Sequence, residues 1–202
     1  MLLPVYNGKQ YLQDAVESIL NQNFRDFELL IVDDGSTDGS ASIIQGYKDS
    51  RIRLIENTIR LKLSGALNRG IREEKGKYIA RMDADDISLP ERLERQVGFM
   101  EKHQDIGLCG TWVEKFGKGV SAINKYPGSS EKIQAYTLFD CPFAHPSVMF
   151  RKELFLKHSL TYDGDYYPTE DYELWARAIE HFPAANLLTV LLKYRVHADS
   201  MT

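Results

Sequence analysis

The chain has 202 residues, of which 43 % are hydrophobic and 27 % charged, and its formal net charge is −4. This is the composition of a globular domain with a sizeable core, so it excludes a disordered chain. No run of Lys or Arg offsets the acidic balance, which excludes a nucleic-acid binder.

Met1 leads straight into Leu2-Leu3-Pro4, with neither the basic start nor the long apolar stretch of a secretory leader. No apolar run is long enough to span a bilayer. Cys109 and Cys141 stand far apart without metal-type spacing, as free thiols of a reducing compartment would. Leu2-Leu3-Pro4-Val5-Tyr6 reads as the last half of a strand, and the chain stops just after another strand-like run. A piece of a longer protein is expected.

In chain order, Val5-Tyr6-Asn7-Gly8 ends a first strand in a turn that suits Asn and Gly. Tyr11, Leu12, Ala15, Val16, Ile19 and Leu20 then recur at helical spacing. Residues 27–32 form a nearly continuous apolar run, as in a strand covered on both faces. It ends in Asp33-Asp34-Gly35-Ser36-Thr37-Asp38, and a helix follows over 40–47, capped by Ser36, Asp38 or Ser40. Residues 52–56 read as a third strand, 63–73 as a helix and the run from Tyr78 as a fourth strand. Pro90 sits in the first turn of the next helix, whose buried stripe is Leu93, Val97 and Met100. Strand–helix alternation of this kind predicts right-handed crossovers, a mostly parallel sheet and an α/β fold. Ligands then bind beyond the carboxyl ends of the strands. Tyr6-Asn7, Asp33-Asp34 and Asp83/Asp85 are therefore expected to converge.

The second half is mixed. Residues 106–114 read as strand, 117–127 as loop, 131–139 as a short helix and 147–150 as strand. A short helix over 151–157 and an aromatic, acidic loop over 162–168 follow. Thr169 is the expected cap of a helix that begins at Glu170 and buries Leu174, Trp175 and Ile179, or Ala178. Residues 187–196 finish as strand. The expected division is 1–104 for one half and 105–202 for the other.

Asp83, Asp85 and Asp86 crowd three carboxylates into four positions after the fourth strand. Such a cluster suits a hard divalent cation, Mg²⁺ or Mn²⁺. The plainer reading is an acidic start to the Pro90 helix. A calcium loop over 33–40 fails, because the ligand spacing and the closing Glu are missing.

Pro4-Val5-Tyr6-Asn7, Val32-Asp33-Asp34-Gly35-Ser36-Thr37-Asp38, Asp83-Ala84-Asp85-Asp86 and Glu170-Asp171, in this order and spacing, resemble the family 2 inverting glycosyltransferases. Ser18-Ile19-Leu20-Asn21-Gln22, Ala66-Leu67-Asn68-Arg69-Gly70-Ile71 and His145-Pro146-Ser147-Val148-Met149 extend the resemblance over nearly the whole chain. It implies a GT-A fold, with a Rossmann-like nucleotide-sugar-binding half and a mixed acceptor-binding half. It also implies transfer of a sugar from a nucleoside diphosphate, assisted by Mn²⁺ or Mg²⁺.

In that resemblance Asp85 holds the metal, Asp83 contacts ribose or metal, and Asp86 stands behind them. Asp34, with Asp33, accepts hydrogen bonds from base or ribose, and Pro4, Val5, Tyr6 and Asn7 pack on the base. Asp171 is the base that deprotonates the acceptor hydroxyl, with Glu170 as second choice. Its place in the first turn of a helix lowers its pKa, and burial near Trp175 and Tyr172 raises it. Read locally, both acids are ordinary first-turn residues. His197 matches a third metal or phosphate contact, or is a terminal histidine. His145, with Trp112, lines the acceptor or diphosphate pocket; a buried, hydrogen-bonded histidine is the equal alternative.

After the third strand, residues 56–65 lack the early Gly of the family's turn, and either Arg60 or Lys62 approaches the nucleotide. The basic Gln-x-x-Arg-Trp pattern of processive synthases is missing, so single addition is expected. The donor expected is a uridine or thymidine diphosphate sugar ahead of a guanosine one. The acceptor is a saccharide or lipid-linked glycan of cell-envelope polysaccharide biosynthesis, met at the cytoplasmic face of the plasma membrane through at most peripheral contact. The competing readings are a haloacid-dehalogenase-like phosphatase, with Asp83 as nucleophile, and a catalytically silent nucleotide-sugar-binding module.

Overall fold

The computed structural model describes residues 1–197. The first part runs β1 Leu2–Val5, α1 Leu12–Leu20, β2 Leu29–Asp33, α2 Ser40–Gly46, β3 Ile52–Glu56, α3 Lys62–Glu73 and β4 Tyr78–Ala80. β1 pairs with β2 and β2 with β3, both parallel. β4 approaches the other side of β1 through a parallel bridge between Leu2 and Arg81, where Met82 N donates to Leu2 O at 3.1 Å. Four strands therefore point the same way, and their carboxyl ends share one edge.

The strands alternate between two cores. Leu3, Val5, Leu29 and Ile31 pack with α1 residues Leu12, Val16 and Ile19. Leu2, Leu30 and Val32 pack on the other face with Ala66, Leu67 and Ile71 of α3. Successive side chains of a strand point to opposite faces, so a strand buried on both sides must be apolar throughout.

The chain continues as β5 Ile87–Ser88, α4 Arg92–Lys102, β6 Leu108–Gly117, β7 Val120–Asn124, α5 Ser130–Thr137, β8 Met149–Arg151, α6 Lys152–Lys157, α7 Glu170–Ala178 and β9 Ala184–Arg195. β4 pairs antiparallel with β8, β8 with β6, and β9 with β5, whereas β6 and β9 run parallel. Strands from before and after residue 104 are thus interleaved in one sheet. Trp175 of α7 is fully buried against Phe143, Phe150, Phe155 and Tyr162. Among the described residues no helix is long and apolar enough to cross a membrane.

Three local expectations are corrected. The stretch 117–127 is not all loop: Lys118 and Gly119 take positive φ (36° and 74°) and turn β6 back into β7. Two left-handed residues in succession match the twist of a tight hairpin. Pro90 precedes α4 rather than opening it, and Arg92 N reaches back to Leu89 O at 3.0 Å. Thr169 stands at the start of α7, but its hydroxyl donates to Tyr166 O at 2.9 Å and leaves the helix uncapped.

Gln22 fixes the turn before α4 from the end of α1. Its Nε2 donates to Leu89 O at 2.7 Å and its Oε1 accepts from Leu93 N at 2.9 Å, with the side chain fully buried. Gln22→Leu leaves Leu93 N without this acceptor away from water, whereas Leu89 O keeps Arg92 N. Urea unfolding should show a loss of about 2 kcal/mol, the cost of a buried unpaired polar group; an unchanged midpoint would refute this role.

Candidate active site

The polar turns after β1, β2 and β4 meet at one sheet edge, around a pocket of about 420 Å³. Pro4, Val5, Tyr6, Asp34 and Asp83 line it, together with Arg60, Lys62, Leu63, Ala66 and Tyr167. Asp34 is buried, and its Oδ1 accepts from Asn57 Nδ2 at 2.6 Å and from Leu61 N at 2.8 Å. The Arg60 guanidinium lies 3.7 Å from the Tyr6 ring centroid, a cation–π contact. Both basic residues of the glycine-poor loop therefore reach the pocket. Lys62 takes a φ of 59°, which glycine would adopt at lower cost.

Asn7 and Asp33 stand behind this pocket rather than in its lining. Asn7 has a φ of 51°, and its Oδ1 accepts from Thr37 N at 2.8 Å. The Asp33 carboxylate accepts from the backbone and hydroxyl of Ser36. Asn7 ties the two strand-end turns together, and Asp33 braces the second of them. A larger cavity of about 780 Å³ lies at the opposite edge, beside Met1 and Glu74, away from these acids.

Asp83, Asp85 and Asp86 each offer a carboxylate oxygen within 4.8 Å of the others. Each is held differently. Arg81 takes both oxygens of Asp83, at 2.5 and 2.6 Å. Asp85 Oδ2 is 2.8 Å from His197 Nε2. Asp86 is 1 % exposed; its Oδ1 accepts from Arg195 N at 2.8 Å, and its Oδ2 is buried without a hydrogen-bond partner. Burial, then Asp83 and Asp85, hold the Asp86 carboxyl well above its ordinary range. Asp83 is raised by burial and by Asp85, against the pull of Arg81. Oxygen-rich ligands, one imidazole and one orphaned buried carboxylate oxygen fit a hard divalent cation, which would neutralise the crowding.

Asp171 sits in the first turn of α7, where its Oδ1 accepts from Tyr172 N at 2.8 Å. Its Oδ2 is 3.9 Å from His145 Nδ1 and 3.9 Å from Cys141 Sγ. Burial raises its pKa, and this outweighs the opposing helix N–H and Arg81. The Asp171 carboxylate also acts on Asp83, so the two acids share one region. Glu170 is 3 % exposed with an unpartnered Oε2, and burial and Asp171 raise its pKa. His145 donates or accepts at Tyr162 Oη over 2.8 Å and packs edge-on to Trp175. Burial, with Arg81 nearby, pushes it well below its ordinary value, so it is neutral. Trp112 instead donates its indole N–H to Tyr126 O at 3.1 Å, beneath Lys125.

Sequence reasoning missed Arg81, Tyr162 and Tyr167 as members of this site. Arg81 was readable only as the one cation in the fourth strand's run. Tyr162 reaches the site because Asn68 of α3 grips its backbone from both sides, N to Oδ1 at 2.9 Å and Nδ2 to O at 2.8 Å.

Comparison with known proteins agrees with this architecture. The O-antigen biosynthesis glycosyltransferase WbnJ of Escherichia coli is 36 % identical over 208 residues, covering 99 % of this chain and 80 % of WbnJ. The crystal structure of S. aureus TarS 1-349 in complex with UDP-GlcNAc superposes with a TM-score of 0.84 at 17 % identity, covering 98 % of this chain and 58 % of that one. The mannosyltransferase PcManGT of Pyrobaculum calidifontis, in complex with GDP-Man and Mn²⁺, gives a TM-score of 0.74 at 17 % identity, over 98 % of this chain and 56 % of that one. These likenesses bear out the GT-A fold. The chain spans 65 to 80 % of the length of the first curated relatives it matches. Residues 1–158 match the model of Glycosyl transferase family 2, and the chain is a member of that family.

Proposed function

We propose that this chain carries the catalytic centre of an inverting glycosyltransferase. It would move a sugar from a nucleoside diphosphate, UDP or dTDP first, to a hydroxyl of a saccharide or lipid-linked acceptor. The observation that carries this reading is the position of Asp83. It lines the pocket of Tyr6 and Asp34, belongs to the acidic cluster, and lies within electrostatic reach of Asp171. Donor, cation and base sites are therefore adjoining. The nucleotide sugars in TarS and PcManGT and the Mn²⁺ in PcManGT support the same assignment. WbnJ, named for O-antigen biosynthesis, supports a cell-envelope polysaccharide as the product class.

Asp34 and Tyr6 would hold base and ribose, and Arg60 and Lys62 are placed to meet the diphosphate. Asp85, His197 and the free oxygen of Asp86 would hold Mn²⁺ or Mg²⁺. That ion supplies charge neutralisation to the departing diphosphate. Asp171 takes the proton of the acceptor hydroxyl on Oδ2. The hydroxyl oxygen bonds to the anomeric carbon from the face opposite the leaving group. The anomeric carbon–oxygen bond to the phosphate breaks, and its electron pair leaves with the nucleoside diphosphate. A phosphatase reading would need Asp83 as a free nucleophile, but Arg81 engages both its oxygens.

Thermal unfolding against nucleoside diphosphates tests the donor site. At ~100 times its dissociation constant the right nucleotide with Mn²⁺ adds ~2.7 kcal/mol, a shift of roughly 5–10 °C. Asp85→Ala should abolish the metal-dependent part; an unchanged shift in that variant would remove Asp85 as ligand. Asp171→Asn should cut transfer by roughly 10²–10⁴-fold while the nucleotide shift persists; full activity in this variant would remove it as base.

Asp86 also makes a pH prediction. Its pKa is raised on folding, so the metal-free native state keeps a proton that the unfolded chain releases. Its contribution to stability is largest in acid and falls as pH rises above the ordinary carboxylate value of 3.8. In chelator, Asp86→Asn should flatten the fall of the urea midpoint as pH rises above 3.8. A slope unchanged from the parent protein would show that Asp86 titrates as an ordinary carboxylate.

A further inference from the structure

We propose that Tyr162 and His145 are positioning residues for Asp171, acting through the choice of imidazole tautomer. The inference rests on the glycosyltransferase reading for its role in catalysis, and on geometry alone for the tautomer. His145 is buried and its Nε2 lies 2.8 Å from Tyr162 Oη. Its Nδ1 faces Asp171 Oδ2 at 3.9 Å. A neutral imidazole has one donor nitrogen and one acceptor nitrogen.

The two tautomers differ sharply here. With the proton on Nε2, the Nδ1 lone pair would point at a carboxylate, and the buried Tyr162 hydroxyl proton would need another acceptor. With the proton on Nδ1, Tyr162 donates to Nε2 and Nδ1–H points at Asp171. Only the second arrangement is attractive at both ends of the ring, with a hydrogen bond from Tyr162 Oη to Nε2 and a charge–dipole attraction of Nδ1–H to the Asp171 carboxylate. Charged and titratable groups surround the set. Arg81 lies beyond β4 with Asp83 behind it, Cys141 comes from the loop after α5, and Glu170 and Asp171 come from α7.

Both ring nitrogens are then engaged, so His145 does not accept the substrate proton. It serves Asp171 instead. The carboxylate's Oδ1 is taken by Tyr172 N, which leaves Oδ2 as the proton-accepting oxygen. Nδ1–H steers that oxygen and favours its ionised form, against the burial that disfavours it. The 3.9 Å separation closes to hydrogen-bond length by about 1 Å of side-chain movement, as resting active sites commonly allow. Tyr162 is in turn held by Asn68, so the orientation begins in the backbone of the 162 loop.

The test is a long-range ¹H–¹⁵N correlation on the full chain labelled at histidine, with His145→Gln used to assign the His145 signals. The expected pattern is a neutral Nδ1–H imidazole that stays neutral through the ordinary histidine range, and a shift toward Nε2–H in Tyr162→Phe. An Nε2–H pattern in the parent protein, or no change in Tyr162→Phe, overturns the proposal. This arm reads the same whether or not the chain transfers a sugar. Once transfer is measured, Tyr162→Phe should move the acid limb of the kcat profile to higher pH. Below that limb kcat falls about tenfold for each unit of displacement. Donor KM stays unchanged. A fall in kcat without displacement of the limb would reduce Tyr162 to a structural residue. Failure of Asp171→Asn to affect transfer would instead count against the glycosyltransferase reading itself.

Discussion

A buried cation organises this sheet edge. Arg81 is 1 % exposed, and its guanidinium grips Asp83 through two nitrogens. Its backbone is fixed as firmly: N donates to Val148 O at 3.0 Å, and O accepts from Arg92 Nη2 at 2.6 Å. A guanidinium in such a place is tolerable only with a close counter-charge, and removing one partner leaves the other stranded. The Arg81 field also reaches Asp171, Glu170, His145 and Tyr162: it opposes the burial that raises the acids and the phenol, and adds to the burial that lowers the histidine. One residue after β4 thus acts on Asp83 in the pocket wall and on the His145–Asp171 cluster together.

The acidic cluster follows from the same constraint. Three carboxylates so near one another repel, and the fold relieves this unevenly. Asp83 receives a permanent cation, Asp85 an imidazole, and Asp86 a single backbone N–H. The least satisfied member is the most buried. An arrangement of that kind is poised for exchange, because an incoming divalent ion replaces protons and mutual repulsion at once.

Much of this was legible beforehand, for a physical reason. Parallel strands buried on both faces must be apolar along their length, so the polar turns after Val5, Val32 and Ala80 announce themselves, and topology brings them to one edge. The second half gave less. The β6–β7 hairpin was hidden because β7 is an exposed edge without clean alternation, and its turn has Lys118 at a position where Asn or Gly would be the usual signal. Thr169 has the composition of a cap, yet a nearer carbonyl claimed its hydroxyl. The His145–Tyr162–Asp171 set was out of reach, since no local pattern tells which distant loop returns to which helix. Trp112 shows the same limit from the other side: an aromatic whose indole turned to Tyr126.

The grip of Asn68 on Tyr162 has a mechanical side. Asn68 belongs to α3, and the first turn of that helix supplies Lys62 and Leu63 to the pocket wall. The two ends of this span lie ~9 Å apart along a helix that is stiff over such a length. The Asn68 side chain holds both backbone groups of Tyr162, so the placement of that loop follows the placement of α3. The pocket wall at Lys62 and the Tyr162 loop are therefore joined by a short rod, so neither is set independently of the other.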